Sequence, residues 1–183
     1  MKKFILLCLY VLCTMGTYAQ IKTNFWGLTL GVSSKESVIE TLRSKGYSVQ
    51  EFFTLNNQGV EIKNVIWADA KWAYCYFRFT DNKLRAVVFE TSNQRLSDSE
   101  LVELKNRFVK SYEIKYKEYF DSSISEKPNS YSYRDGKTYV CVNLHPGTES
   151  GISHINFLHI SYDDIHLTDV WAKQKARSHY DDL

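Results

Sequence analysis

The chain has 183 residues, with 23 Lys and Arg against 21 Asp and Glu, and aromatic residues make up 15% of it. This balance of charge argues against the excess of cations that binding to nucleic acid or anionic lipid requires. The 13 Tyr, with only two Pro and eight Gly, favour an ordered, sheet-rich protein over a disordered one.

The N-terminus has the pattern of a secretory signal peptide covering residues 1–19. Lys2 and Lys3 precede a nearly continuous apolar run of about ten residues, and Thr17-Tyr18-Ala19 supplies a small residue at the cut, so we expect cleavage after Ala19. The run is roughly half the ~20 residues that a membrane span needs. Leu12 precedes Cys13, so a lipid anchor is not expected. We therefore predict export, to the periplasm or out of the cell, with no membrane span.

A first unit, residues 20–95, begins with a helix predicted at 34–45. Ser33 and Glu36 have the spacing of a capping box, and Gly46 stands where a left-handed cap would end the helix. Turn-forming residues then separate four strands, which should form an antiparallel meander. The predicted strands are 47–54, 60–68, 72–80 and 83–91.

A second unit, residues 96–165, repeats this plan. Ser97 and Glu100 form another capping box before a helix predicted at 98–111, and Asp135-Gly136 is a strong hairpin signal. The predicted strands are 113–120, 130–134, 138–144 and 154–162. The tail, 166–183, should end in a short helix near 169–180, with Thr168 as its cap.

Two local patterns recur in the same order and at nearly the same spacing. The segment "WADAKWAYC" at 67–75 returns as "YRDGKTYVC" at 133–141, and the two capping boxes also correspond. Such self-similarity indicates duplication of a unit of about 65 residues. The predicted fold class is therefore α+β, with two tandem repeats of one helix plus a four-stranded antiparallel meander.

Strand alternation does not decide which face of the sheet packs against the core. In the first unit Trp72, Tyr74, Tyr76 and Arg78 share one face, opposite Ala73, Cys75, Phe77 and Phe79. In the second unit the equivalent alternation places Val140, Val142 and Leu144 on the side that corresponds to Tyr74. Either the strand register differs between the units, or the tyrosine side is itself covered.

Cys75 and Cys141 remain after signal cleavage. Both fall on the third predicted strand of a unit, so they would not be neighbours if the units meet through their outer strands. Cysteine Cα atoms more than about 7 Å apart cannot be bridged. We expect two separate buried thiols, and a disulfide is the alternative in an oxidising compartment.

Chemistry-bearing residues show no recognised catalytic or metal-binding spacing. The five histidines lie near the C-terminal end, at 145, 154, 159, 166 and 179, but 154 and 159 would face opposite sides of a strand. No nucleophile elbow, zinc-protease motif or phosphate loop occurs. We therefore predict no cofactor, no metal site and no catalytic residue.

The segment "FWGLTLGVSSKESVIETLRSKGY", with Gly27 and Gly31 before a capped helix, resembles segments of secreted proteins of Bacteroidetes. The duplicated plan over about residues 25–165 resembles the beta-lactamase-inhibitor-protein-like fold, although those folds usually have two helices per unit. The resemblance implies a role in binding other proteins, with no catalytic residues to transfer.

The functional hypothesis is therefore an exported, non-enzymatic protein that recognises a protein partner, with an unknown oligomeric state. The aromatic strand face would carry the contacts, because Trp, Tyr and Arg are enriched in binding hot spots. The longest loop, 145–152, would add others. The candidate binding residues are Trp72, Tyr74, Tyr76, Arg78, His145 and Glu149. The alternatives are a binding module for a small apolar ligand or glycan and, third, a hydrolase.

Overall fold

The computed structural model describes residues 20–54, 57–123, 129–145 and 156–181. Within them the chain is an α+β protein with three α-helices and a seven-stranded antiparallel sheet. The predicted signal peptide, Glu149 and the rest of its loop beyond His145 lie outside the described residues.

The elements follow one another in two runs of helix and strands. The chain begins with β1 (Asn24–Phe25), β2 (Leu28–Thr29), α1 (Lys35–Ser44), β3 (Gln50–Thr54), β4 (Asn57–Trp67), β5 (Ala70–Thr80) and β6 (Lys83–Ser92). It continues with α2 (Asp98–Tyr116), a 3-10 turn (Lys117–Tyr119), β7 (Ser130–Arg134), β8 (Thr138–His145), β9 (Phe157–Asp164) and α3 (Ile165–Asp181). The sheet order is β3-β4-β5-β6-β9-β8-β7, so the two meanders meet through β6 and β9.

Only one of the two predicted capping boxes forms. Ser97 Oγ accepts from the Glu100 amide while the Glu100 carboxylate accepts from the Ser97 amide at 2.7 Å. In α1 the cap is Ser34 rather than Ser33, because Ser34 Oγ accepts from the Ser37 amide. The Glu36 carboxylate instead accepts from Asn82 in the β5–β6 turn, which ties α1 to the end of the sheet.

The strand predicted at 113–120 is wrong, because α2 continues to Tyr116, and the described residues of the second unit contain three strands instead of four. Tyr112 and Tyr116 continue the helical stripe of Leu101 and Phe108, and all four side chains are buried. The predicted Thr168 cap is also wrong, since α3 begins at Ile165. Asp164 Oδ1 accepts from the Leu167 amide there at 2.9 Å.

One face of the sheet carries the main hydrophobic core. Helices α1 and α2 and the β1–β2 hairpin pack on this face, around a cluster of large rings. Trp67 stacks on Phe89 with ring centroids 4.0 Å apart, and Phe25 meets Tyr162 edge to face at 4.9 Å. Burial of these rings draws the hairpin and both helices onto the same side of the sheet.

The alternation of β4 and β5 changes phase midway along the β4–β5 hairpin. Lys63 pairs with Tyr74 and Val65 with Trp72, while Asn64, between them, has a left-handed φ of 56°. Consequently Trp72 and Cys75 are both buried on the core side. The prediction that Trp72 shares a face with Tyr74 is therefore wrong, because the period of two is interrupted between them.

This change of phase explains why the strand alternation of the two predicted units indicated different core faces. Trp72 and its counterpart Thr138 are both buried, at 1% and 1% exposure. Beyond the interruption, Tyr74 is half-buried on the opposite face, whereas its counterpart Val140 is in the core. The side-chain alternation thus differs between the β4–β5 and β7–β8 hairpins.

The cysteine prediction is confirmed. Cys75 on β5 and Cys141 on β8 are both buried free thiols, and β6 and β9 lie between their strands. The phase change also places them on opposite faces, because Cys75 belongs to the core cluster and Val140 and Val142 take the core positions of β8.

Alanine substitutions at Trp72 and Tyr74 test the assignment of faces. Trp72→Ala removes a ring that is 1% exposed, so we expect a loss of about 3–5 kcal/mol in the free energy of unfolding. Tyr74→Ala removes a half-buried ring and should cost roughly 1 kcal/mol. Chemical denaturation followed by far-UV circular dichroism measures both, and equal losses would contradict the assignment.

Candidate binding surface

The face of the sheet opposite α1 and α2, called the open face below, is rich in Tyr, His and charged side chains. Its central residues, strand by strand, are Glu61 and Lys63; Tyr74, Tyr76 and Arg78; Val88 and Glu90; His159, Ser161 and Asp163; Tyr139, Cys141 and Asn143; and Ser130 and Ser132. Most are half-buried by their neighbours in the sheet. This face is therefore closely packed within itself but still partly accessible.

Register aligns these residues in rows across the sheet. One row runs Lys63, Tyr74, Glu90, His159, Asn143 and Ser130, and the next runs Glu61, Tyr76, Val88, Ser161, Cys141 and Ser132. Opposed side chains of an antiparallel pair lie about 5 Å apart, so each row is a chain of contacts. The β6–β9 pairing thus joins residues of both units into one surface.

Three rings at the β3 side of the open face form what we call the tyrosine group: Phe52, Tyr74 and Tyr76. Tyr74 and Tyr76 stack with centroids 5.8 Å apart and 14° between their planes, and Phe52 meets Tyr76 edge to face at 5.9 Å. Lys63 Nζ lies 5.6 Å from the Tyr74 ring centroid. Mutual packing holds the rings in place, so little side-chain entropy remains to be lost on binding.

Charges of both signs lie beside the tyrosine group. Burial raises the pKa of Glu90, and the positive charge of Arg78 and a hydrogen bond from Tyr76 oppose that rise. Burial likewise raises the pKa of Asp163, opposed first by Arg85 and also by Arg78. The charge of Arg78 therefore opposes the rise in pKa at both carboxyls. Ala86, whose side chain is small, lies between Arg78 and Asp163 in the sheet.

His159 lies at the middle of the open face. Burial is the main cause that lowers its pKa to about 4, and the positive charges of His145 and Arg78 add to the effect. Its Nε2 lies 3.1 Å from Asn143 Nδ2, and its ring centroid lies 4.8 Å from that of His145. The ring is therefore neutral at physiological pH and fits a closely packed surface.

The structure brings together four of the six predicted binding residues. Tyr74, Tyr76 and Arg78 lie side by side on β5, and His145 reaches the same face through His159. Trp72 does not join them, because it is buried in the core and its Nε1 donates to the Trp67 carbonyl at 3.2 Å. Glu149 lies outside the described residues.

Helix α3 packs across one end of the open face. Gln174 donates to Asp81 in the β5–β6 turn at 3.0 Å, and the guanidinium carbon of Arg85 lies 4.3 Å from the Trp171 ring centroid. A pocket of about 330 Å³ lies between the start of the helix and the sheet, and it is lined by Arg134, Tyr139, Asp163, Ile165, Thr168 and Asp169.

The sequence interpretation missed Glu90, His159 and Asp163 as members of the surface. A signal was present for His159 and Asp163, because "HISYDD" in β9 alternates polar and apolar residues with period two. What alternation alone does not show is that β9 pairs with β6, which sets His159 opposite Glu90.

The described residues are compatible with neither a metal cluster nor an activated Cys75 nucleophile. In the described ranges, no group of three or more His, Cys, Asp and Glu is placed to hold a metal ion. Burial raises the pKa of Cys75, so its thiol stays protonated and is a poor nucleophile. None of the helices that the structure describes has the length and apolar character to cross a membrane.

Comparisons with protein-family models, with characterised proteins and with solved structures find no match to this chain. The protein is therefore classified by its architecture alone. It is an α+β protein in which helices cover one face of a seven-stranded antiparallel sheet.

The lowered pKa of His159 predicts a specific acid sensitivity. Because that pKa is about 4 in the folded protein against 6.5 for a free histidine, protonation favours unfolding. The contribution of the neutral His159 ring to the free energy of unfolding is complete above pH 6.5, and it falls as the pH drops to about 4. At about 1.4 kcal/mol for each pH unit, the loss approaches 3 kcal/mol.

Measuring the free energy of unfolding against pH for the wild type and His159→Gln checks this expectation. Glu90 and Asp163 have raised pKa values, so their protonation stabilises the fold as the pH falls, which is the opposite effect. Both proteins contain these carboxyls, so the difference between their free energies of unfolding isolates His159. That difference should shrink or reverse between pH 6.5 and 4. His145→Gln, which removes an exposed ring, should keep most of the wild-type response. A constant difference across this range would contradict the expectation.

Proposed function

We propose that the chain is an exported, non-enzymatic binding protein that recognises a protein partner through the open face. One observation carries this proposal. The main hydrophobic core lies on one side of the sheet, while the other side presents stacked Tyr rings beside Arg78 that remain partly accessible. Tyr and Arg are enriched at the energetic centres of protein interfaces.

A protein partner fits the breadth and the charge of this surface. The tyrosine group is continuous with rows that cross six strands, which is wider than a small molecule requires. The open face carries the carboxyls of Glu61, Glu90 and Asp163 together with the cations Lys63 and Arg78, so it favours a partner of mixed charge. The ring hydroxyls and the Arg78 side chain then supply orientation as well as apolar contact.

Duplication of a helix-plus-meander unit is part of the proposal, as is the resemblance to the beta-lactamase-inhibitor-protein-like fold. The order of helix followed by antiparallel strands in both units supports it, as do the matching burial of Trp72 and Thr138 and the meeting of the units through β6 and β9. The helix that replaces the strand predicted at 113–120 and the different cap of α1 are departures from a strict repeat.

Export rests on the N-terminal sequence. Lys2, Lys3, the apolar run and Ala19 have the order of a cleaved signal. The two remaining thiols are compatible with an oxidising compartment, because they are buried and too far apart in the sheet to bond with each other. The site of action would be the cell envelope or the outside of the cell.

Site-specific photocrosslinking tests the proposed surface directly. A benzophenone amino acid at position 74 should capture a protein of the envelope or medium, whereas the same group at position 114 on α2 should not. Ile114 is a matched control, because it is 79% exposed and lies on a helix that packs against the opposite face. Capture at both positions, or at neither, contradicts the proposal.

Affinity measurements with the captured protein complete the test. Tyr74→Ala should weaken binding by roughly thirtyfold, the effect of losing a contact of about 2 kcal/mol. Tyr74→Phe keeps the ring and should lose much less. Trp72 is left unchanged, because its removal would open the core and confuse loss of binding with loss of fold.

A further inference from the structure

The phase change of the β4–β5 hairpin opens a second concave site, which we call the Ala73 hollow. Regular pairing of β5 with β6 ends at Tyr74 and Glu90, just where the alternation is interrupted. Beyond that point the strands diverge and leave a hollow of about 350 Å³. Its lining is Asn64, Ile66, Lys71, Trp72, Ala73, Thr91, Arg95 and Leu96.

The lining combines an apolar wall with two cations. Ile66 is 68% exposed, an unusual state for a large aliphatic side chain, and it faces the same hollow as Ala73 and Leu96. Lys71 and Arg95 contribute positive charge, and the hollow itself has no carboxylate in its lining. Across the described ranges, neither cation lies within 4.0 Å of a carboxylate oxygen.

Backbone geometry defines where two of the polar residues start. Asn64 has a left-handed backbone, and Arg95 follows a turn in which its amide donates to the Ser92 carbonyl at 2.9 Å. Thr91 is 2% exposed and lies at the floor with Trp72. A ligand would therefore meet a preformed apolar floor with two cationic side chains above it.

The surroundings limit the charge of that ligand. Lys71 also borders a neighbouring hollow that contains Asp69, Glu100 and Glu103 together with Arg107. These carboxylates would repel a phosphate or another multiply charged anion, while two cations inside the hollow still favour one negative charge. A carboxylate attached to a small apolar group satisfies both conditions.

We infer that the Ala73 hollow binds a monocarboxylate that carries an apolar group, such as a short fatty acid or the C-terminus of a peptide with an apolar last residue. The carboxylate accepts hydrogen bonds from Arg95 and Lys71, and the apolar group packs on Ile66, Leu96 and the floor. This site does not include the tyrosine group, so it stands or falls independently of the proposed function.

An NMR titration with hexanoate and hexanamide tests the inference, because the two probes differ only in charge at the head group. Hexanoate should shift the backbone amides of Lys71, Ala73 and Leu96 in a saturable manner, and hexanamide should bind at least tenfold more weakly. Equal affinities, shifts confined to other parts of the protein, or no shifts with either probe would overturn the inference.

Variants then separate charge from shape. Arg95→Gln should weaken hexanoate roughly tenfold, while Lys110→Gln, which removes an exposed cation on α2, should have no effect. Ala73→Leu should fill the hollow and abolish binding of both probes. If a folded Ala73→Leu protein bound hexanoate like the wild type, the hollow would not be the site. Arg95→Gln remains decisive if the leucine variant fails to fold.

The source of the carboxylate is distinguished with two peptides of the same sequence that end in leucine, one with a free carboxylate and one amidated. Binding of the free form alone, with shifts at the same amides, assigns the site to peptide C-termini. Failure of both peptides beside successful binding of hexanoate assigns it to free acids. Equal binding of both peptides at these amides would contradict recognition of the carboxylate.

Discussion

The surface chemistry of this protein depends on one interruption in the strand alternation of the β4–β5 hairpin. Asn64 adopts a left-handed conformation between two regular stretches of pairing. Without that interruption, every second residue of β5 would lie on the same face of the sheet. Trp72 would then lie beside Tyr74 and outside the core. With it, Trp72 packs in the core while Tyr74 and Tyr76 stay on the open face. Asparagine tolerates the left-handed region better than most residues.

The same interruption links two surface features that are otherwise unrelated. On one side of it, the regular pairing of β5 with β6 and of β6 with β9 aligns Tyr74 with Glu90 and His159. On the other side, the strands separate and leave the Ala73 hollow, with Trp72 as its floor. The stability of the core and the shape of the hollow therefore depend on one residue, because the Trp72 ring packs in the core and also lines the hollow.

Much of the fold could be predicted from local sequence signals. The Ser97 capping box, Gly46 after α1 and the Asp135-Gly136 hairpin each depend on short-range chemistry, and the structure contains all three. The extension of α2 was missed because Tyr and Ile favour strands, although Tyr112 and Tyr116 bury their rings at helical spacing. The composition of the open face was predicted in part, at Tyr74, Tyr76 and Arg78. Its remainder depends on the β6–β9 pairing and on one backbone conformation at Asn64, which no periodic pattern reveals.

The most direct measurement of the central claim is hydroxyl-radical footprinting of the native wild-type protein, with oxidation quantified residue by residue. Trp72 is 1% exposed and Phe77 is 0% exposed, whereas Tyr74 and Tyr76 are only half-buried. The account predicts oxidation of Tyr74 and Tyr76 and protection of Trp72, even though indole is intrinsically the more reactive ring. Comparable oxidation of Trp72 and Tyr74 in the folded protein would show that the alternation continues unbroken, and would contradict both the open face and the Ala73 hollow as described.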